Sequence, residues 1–392
     1  MRILINLLNF RPGKIGGTET YLRELIGHLP GVAKNERISL VTSRDVARHF
    51  VDSPLEVVAV PYTTAQICGL RFLETAAGTF HARSIEAAIA RTQPDVILYP
   101  QQSMFPKSVS CPSVLVTHDL YHLTFPDYCN ALQRWFRNRS YPAAIASADH
   151  ILTASVSARR TIVDYVPAAA DRISIVPHGI RELDARCILP YEGIAGPYLY
   201  YPAVTRPHKN HELLFHSVAA LCAEGRFPYR LILTGEKTKH WQKLERLLPR
   251  LALTDVVSHL GYVSYSTVLK LIRGAECVVF PSRCEGFGIP VIEAASLDCK
   301  VITSQLEVFA EIGVPPAYRI DFADHDALAR AITDQSPAKL LRKPATWAEC
   351  ARGTLDVLCQ TAEIRLPRPI GPTPPWHMRR AGLIPQHASP RH

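Results

Sequence analysis

The sequence predicts an α/β protein made of two doubly wound, parallel-sheet domains in tandem. Three observations predict it. Short runs of β-branched and aromatic residues alternate with longer segments of helical spacing, the pattern of βαβ units. The alternation breaks once, over the glycine- and proline-bearing stretch "RELDARCILPYEGIAGP" (181–197), and then starts again. The length of 392 residues suits two such halves.

In the first half, "RILINLL" (2–8) reads as the opening strand. The helix "TETYLRELIGHL" (18–29) follows, with Tyr21, Leu22, Leu25, Ile26 and Leu29 on one face. Further strands are expected at 38–42, 55–60, 95–100, 113–119, 150–155 and 172–177. The second half offers strands at 198–204, 229–235, 256–263, 276–282 and 300–304, with helices near 209–224, 239–250, 264–274 and 290–297. "TWAECARGTLDVLCQ" (346–360) reads as a closing helix. The proline-rich stretch 361–392 reads as a disordered basic tail. The expected organisation is therefore 1–180, a linker at 181–197, 198–345, the helix 346–360 and the tail.

Composition narrows the function. Apolar residues make up 47% and charged residues 20%, as in ordinary globular proteins. The net charge is +9, but the last 33 residues hold five arginines against Glu363 alone, so the body is only mildly basic. Such a body suits anionic small molecules or an anionic membrane as well as nucleic acid. Ten cysteines contain no CxxC pair, so neither a zinc knuckle nor a thioredoxin-like motif is supported. The opening "MRILINLL" has no small-residue cleavage site after it, and no apolar run approaches the ~18–20 residues of a span. A cytoplasmic protein with reduced thiols is expected.

Tandem α/β domains bind ligands at the carboxyl ends of their strands, in the cleft between them. The candidate motifs fall there. In "SRCEGFGIPVIE" (282–293), Gly286 and Gly288 let backbone approach a ligand, and Pro290 suits a first helical turn. Glu285 is expected in the loop and Glu293 in that first turn, near exposed N–H groups and a positive dipole end. Carboxylates accept paired hydrogen bonds from vicinal hydroxyls, so the pair suits a sugar–phosphate–nucleoside ligand. The same residues also suit a plain glycine-rich strand–helix turn. In "TRPHKNHELL" (205–214), Arg206 and Lys209 could meet a phosphate, or simply form a solvated basic turn. His208, His211 and His216 lack zinc spacing, and no metal site is expected.

"GKIGGTET" (13–20) is the first βα turn, and Gly16-Gly17 permits close backbone approach there. It is neither a Walker motif nor GxGxxG, so nucleotide hydrolysis and NAD binding lose their usual signatures. "VTHDLYHLTFPD" (116–127) places His118 and Asp119 at a strand end. His118 there could donate to a substrate hydroxyl or to developing charge, or cap a loop. No GxSxG accompanies it. "LQRWFRNRSYPAA" (132–144) interleaves arginines with aromatics. It reads as an exposed basic helix or as a surface for anionic lipid.

Taken together these motifs resemble the GT-B-fold retaining glycosyltransferases of family 4. The resemblance covers about residues 1–360. It runs through "GGTETYLREL", "VTHDL", "ADHILTASVSARRTIVDY", "DRISIVPHGI", "PHKNHELL", "LILTGE", "LGYVSYSTVLKLIRGAECVVFPSRCEGFGIPVIEAAS" and "TWAECARGTL". The E-x7-E spacing of Glu285 and Glu293 is its most specific element. The style of "PHKNHELL" is similar to bacterial mannosyl- and rhamnosyltransferases of surface polysaccharide assembly. The pattern departs at "SLDCKVITS" and in the short Arg206–Lys209 spacing.

The resemblance implies two Rossmann-like domains facing a central cleft, with the closing helix crossing back to the first. It implies Glu285 on the donor hexose beside Gly286, Phe287 and Gly288, and Glu293 on the ribose. Arg206 and Lys209 would neutralise the diphosphate in place of a metal. Gly17, with Gly16, would sit against phosphate and acceptor, and His118 near the sugar's C6 side or the reacting centre. Gly235, Glu236, Tyr262 and Val263 would border the base. The donor implied is GDP-mannose, with UDP-hexose as the alternative. The acceptor implied is a saccharide or lipid-linked glycan. A nucleotide-sugar epimerase of the same fold and a non-catalytic subunit are competing readings. Only 132–144 hints at nucleic acid.

Overall fold

The computed structural model describes residues 1–13, 16–77, 83–107, 109–336 and 339–363. Two all-parallel sheets organise it. The first carries β1 (Arg2–Asn6), β2 (Arg37–Ser43), β3 (Glu56–Val60), β4 (Val96–Tyr99), β5 (Ser113–Val116), β6 (His150–Thr153) and β7 (Ile173–Ile175), in the order β3-β2-β1-β4-β5-β6-β7. The second carries β8 (Tyr198–Pro202), β9 (Arg230–Thr234), β10 (Val257–His259), β11 (Cys277–Phe280) and β12 (Lys300–Thr303), in the order β10-β9-β8-β11-β12. Strand order reverses beside β1 in one sheet and beside β8 in the other. These are the switch points where doubly wound sheets open a crevice. The central strands are buried along their whole length because helices cover both faces.

The first domain's helices are α1 (Gly17–Val32), α2 (Thr64–Ala77), α3 (Arg83–Thr92), α4 (Tyr121–Thr124), α5 (Ala131–Ser147) and α6 (Val156–Tyr165). The second domain adds α7 (His211–Ala223), α8 (Trp241–Arg250), α9 (Tyr265–Gly274), α10 (Ile289–Ser296), α11 (Glu307–Glu311) and α12 (His325–Thr333). The closing helix α13 (Trp347–Glu363) starts beside the second domain but packs on the first. Trp347, Cys350, Ala351, Leu355 and Leu358 share one core with Tyr21, Leu22 and Leu25 of α1. The chain therefore crosses between domains twice. The crossings touch, with Ile180 N–H donating to Ala345 O at 2.9 Å. A Cβ at Gly179 would run into the backbone of Trp347.

Several bounds differ from expectation. The first helix runs on through Pro30 to Val32, because the face that includes Leu29 and Val32 stays buried. The closing helix reaches Glu363, three residues past its expected end, since Thr361 is buried and its hydroxyl bonds Val357 O. Residues 361–363 are thus helical rather than tail, and 364–392 lie outside the described residues. The strand expected at 256–263 is only Val257–His259, because Gly261 turns the chain at φ 76°. The stretch 132–144 lies within α5, whose start is fixed by a capping box between Asn130 and Gln133.

Candidate active site

The site grows from the carboxyl ends of β5, β8 and β11. Pro207–Lys209 forms a single 3-10 turn after β8, and Tyr201 OH pins it by donating to Lys209 O at 2.8 Å. That turn aims Lys209 at the loop after β11. Lys209 Nζ donates to Glu285 Oε1 at 2.5 Å, and Ser282 Oγ donates to the same oxygen at 2.7 Å. Both charged side chains are largely covered, with 18% and 14% of their surface exposed. The sequence-predicted cation and loop carboxylate therefore meet as one partly buried ion pair.

His118 and Asp119 face this pair from the first domain. His118 is buried, and its Nε2 lies 3.3 Å from Pro100 O, which places the ring proton on Nε2. Burial pushes its pKa down to about 4, so the ring is neutral near pH 7. Asp119 is held above the usual carboxylate range, first by burial and further by repulsion from Glu285, although Arg137 and Lys209 oppose the shift.

The glycines behave as close-approach residues. A Cβ on Gly286 would run into the carbonyl oxygen of His118, and Gly286 O accepts from Ser155 Oγ at 3.0 Å. Gly288, at φ 103°, caps α10. Phe287 joins an aromatic cluster with ring centroids 5.2 Å from His178. His178 in turn stacks on Tyr21 at 4.6 Å and meets His118 edge-on at 5.4 Å. His178 is buried, its Nδ1 has no partner among the described residues, and its pKa is pushed well down by burial.

Glu293 requires a correction. It is the fifth residue of α10 and lies past the first turn, because the helix begins at Ile289. Its partner is a side chain: Tyr265 OH donates to Glu293 Oε1 at 2.7 Å. Burial raises its pKa, and Tyr265 and Arg181 partly offset that. Arg181 lies 4.7 Å over the Tyr265 ring, and its Nε donates to Glu24 Oε1 at 2.6 Å, so the first domain reaches Glu293 through the linker.

The remaining candidates share the edge without joining the pair. Arg206 is exposed, and its guanidinium has no partner among the described residues. Gly16 caps α1 at φ 51° and Gly17 begins it, with open space at both Cβ positions. Gly235, at φ 118°, lies so close to Ala203 and Val204 that a Cβ would meet their backbone at 2.8–2.9 Å. Glu236 O accepts from Thr205 N at 3.1 Å. Tyr262 is 86% exposed and Val263 is half-buried.

The histidines after β8 do not converge on a ligand position. His208 stacks on Tyr121 at 5.1 Å, and burial pushes the pKa of His208 and His211 down to about 3. Among the described residues, the one group able to hold a metal is Glu224, His325 and Asp326. It lies away from this site, and Arg226 already pairs with both carboxylates.

Asp119, His178, Tyr265 and Arg181 were not among the site residues read from the sequence, although Asp119 was noted beside His118. Asp119 has a local signal, its place after β5. The other three act through contacts between distant segments; His178 and Tyr265 fall in stretches that carry the resemblance, but the resemblance gives them no role there.

Residues 15–182 match the family described as Glycosyltransferase Family 4, and residues 195–349 match Glycosyl transferases group 1. Similar curated proteins include O-antigen chain mannosyltransferase B of Escherichia coli, 27% identical over 267 residues, covering 62% of this chain and 69% of the relative. O-antigen chain mannosyltransferase RfbU of Salmonella typhimurium is 26% identical over 218 residues, covering 56% of this chain. The chain spans only 59% of that relative's length. The fold matches Anabaena HepE, crystallised with UDP and glucose, at a TM-score of 0.61 and 18% identity, over 93% of this chain and 98% of that one. The chain is thus a glycosyltransferase with a family 4 domain over residues 15–182 and a group 1 domain over residues 195–349, on the GT-B fold.

Proposed function

We propose that the chain is a retaining hexosyltransferase that takes a hexose from a nucleoside diphosphate sugar and passes it to a saccharide or lipid-linked saccharide. The observation that carries this reading is the Lys209–Glu285 ion pair at the meeting of β8 and β11. Glu285 offers carboxylate oxygens to the hexose hydroxyls, beside the backbone of Gly286, Phe287 and Gly288. Lys209 neutralises the diphosphate, and Arg206 swings onto it from solvent, so cationic side chains take the part a metal plays elsewhere. Glu293 accepts from the ribose. Gly235, Glu236, Tyr262 and Val263 border the base. Gly16 and Gly17 lie against the phosphate and acceptor.

In the transfer, the acceptor oxygen bonds to C1 on the face that the diphosphate leaves. The C1–O bond breaks, and the acceptor proton passes to the departing phosphate oxygen. Neutral His118 serves as a hydrogen-bonding group near the reacting carbon and carries no charge of its own.

GDP-mannose is the favoured donor, supported by the mannosyltransferase relatives. UDP-hexose is the second reading, favoured by the UDP and glucose of the HepE structure. The reaction is placed in the cytoplasm. α2 and α5 turn Phe72, Leu73, Leu132 and Trp135 outward beside Arg134 and Arg139, which supports peripheral contact with an anionic inner membrane face. No described helix is long and apolar enough to cross a membrane.

The test is a thermal-shift titration with GDP, UDP, ADP and dTDP, repeated on Lys209→Ala. Stabilisation by one diphosphate, lost in the variant, supports the reading and names the base. No stabilisation by any of the four in a folded sample overturns it.

A further inference from the structure

A second cationic pair stands on the first domain, away from Lys209. Arg71 lies on α2 and Arg11 follows β1, and the charge of Arg11 helps depress the pKa of Arg71, behind the larger effect of burial. Like charges held within reach of each other call for a counter-anion. Among the described residues neither guanidinium has an ion pair with a carboxylate. Arg71 spends one hydrogen bond on Ser103 Oγ, at 2.6 Å, and Arg11 Nη2 reaches Cys68 Sγ. A guanidinium has five N–H donors, so most of this capacity is unspent. Glu74 is the nearby acid. It and Arg71 attract each other, but its carboxylate accepts from Lys107 N–H at 2.9 Å, and burial raises its pKa.

The position of the pair identifies its ligand. Ser103 belongs to the loop after β4, and that loop also holds the site proposed above. Pro100 O meets His118, and Gln102 Nε2 donates to Asp119 O at 3.1 Å. On its other side, Arg71 lies 5.4 Å over the ring of Phe136 on α5. There the outward apolar face begins, with Phe72 39%, Leu73 50%, Leu132 61% and Trp135 37% exposed. α5 has no acidic residue, and Glu74 is the only one on α2. The arginines therefore stand between the reacting centre and a basic, apolar, acid-poor face.

We propose that Arg11 and Arg71 form a second anion site, which takes the phosphate or diphosphate ester of a lipid-linked acceptor while its hydrocarbon chain lies along α2 and α5. This rests on the transferase reading for its biological meaning, but the site itself is testable without turnover.

The experiment is calorimetric titration of the full chain with farnesyl diphosphate, inorganic pyrophosphate and farnesol. It is repeated on Arg11→Gln, Arg71→Lys and Lys209→Ala. Farnesyl diphosphate is expected to bind wild type and Lys209→Ala alike, and about tenfold or more weakly to Arg11→Gln, the loss of one charge-assisted contact. Arg71→Lys is expected to fall between. Arg11 is exposed, so its variant keeps the fold. Unchanged binding by Arg11→Gln and Arg71→Lys overturns the site, as does loss of all binding in Lys209→Ala. Inorganic pyrophosphate binding as tightly as farnesyl diphosphate overturns the lipid assignment. If no nucleoside diphosphate stabilises the protein while the Arg11-dependent binding persists, the transferase reading has failed and the anion site has not.

Discussion

Tyr265 and Glu293 come from two different helices and meet at 2.7 Å, hydroxyl to carboxylate. Because Arg181 covers the Tyr265 ring and pairs with Glu24, this contact couples the proposed ribose carboxylate to the first domain. Tyr265→Phe removes the one side-chain donor on Glu293 among the described residues and leaves the packing in place. The donor KM is expected to rise about tenfold, the value of one hydrogen bond to a charged group, with kcat changed less. Initial rates against donor concentration check this, and an unchanged KM would show that Tyr265 does not position Glu293.

Lys209→Ala and Glu285→Ala each leave the partner charge without its mate in a partly buried place. Each is expected to lower kcat/KM by about two orders of magnitude or more. The double variant should be little worse than either single one, because both residues serve the same ligand. Steady-state rates of the three proteins decide this. Wild-type rates in both singles would remove the pair from the site.

Gly286→Ala tests the approach of the two domains. The new Cβ collides with backbone, the carbonyl of His118, and not with a flexible side chain that could yield. The cleft must open to make room. Transfer should drop about a hundredfold while the melting temperature of the protein moves by only a few degrees. Equal losses of activity and of folded protein would mean that Gly286 serves folding alone.

Acid should unfold the protein through its histidines. Burial holds His118, His122 and His259 near 4 and His208 and His211 near 3. The unfolded chain takes up these protons near pH 6.5, well before the folded one does. The stability they contribute is therefore full above that pH and is lost as pH falls towards 4 and 3. Glu74, Asp119 and Glu293 work the other way, since their pKa values are raised. With eight histidines shifted down, His150, His178 and His240 besides those five, against three raised carboxyls, melting temperatures should fall from pH 7.5 to 5.5. A rise over that interval would contradict the assignment.

The architecture was legible because apolar strands such as "VILY" and "CVVF" are buried on both faces and so carry no polar alternation to confuse them. The helices α2 and α3 were not assigned, because the burial that stabilises them is supplied by distant segments of chain. At the site, Glu285 and Lys209 were readable as residues at strand ends. The placement of Glu293 was not, because it depends on where Gly288 lets α10 begin. Nothing local in "GIRELD" or "VSYSTV" says that Arg181 will lie over Tyr265.

Glu311 of α11 accepts from the backbone N–H groups of Val156 and Ser157 at 2.7 Å each, so the second domain supplies the acceptor for the first turn of α6 in the first. A parting of the domains would strip two amides of that acceptor and give them to water, and a reunion would return it. Product escape through such an opening would fray and re-form a helix end once per cycle. The pace of transfer would then be set partly by a carboxylate that never touches sugar, and solvent viscosity or a Glu311→Gln change would register in turnover before it registered in the chemistry.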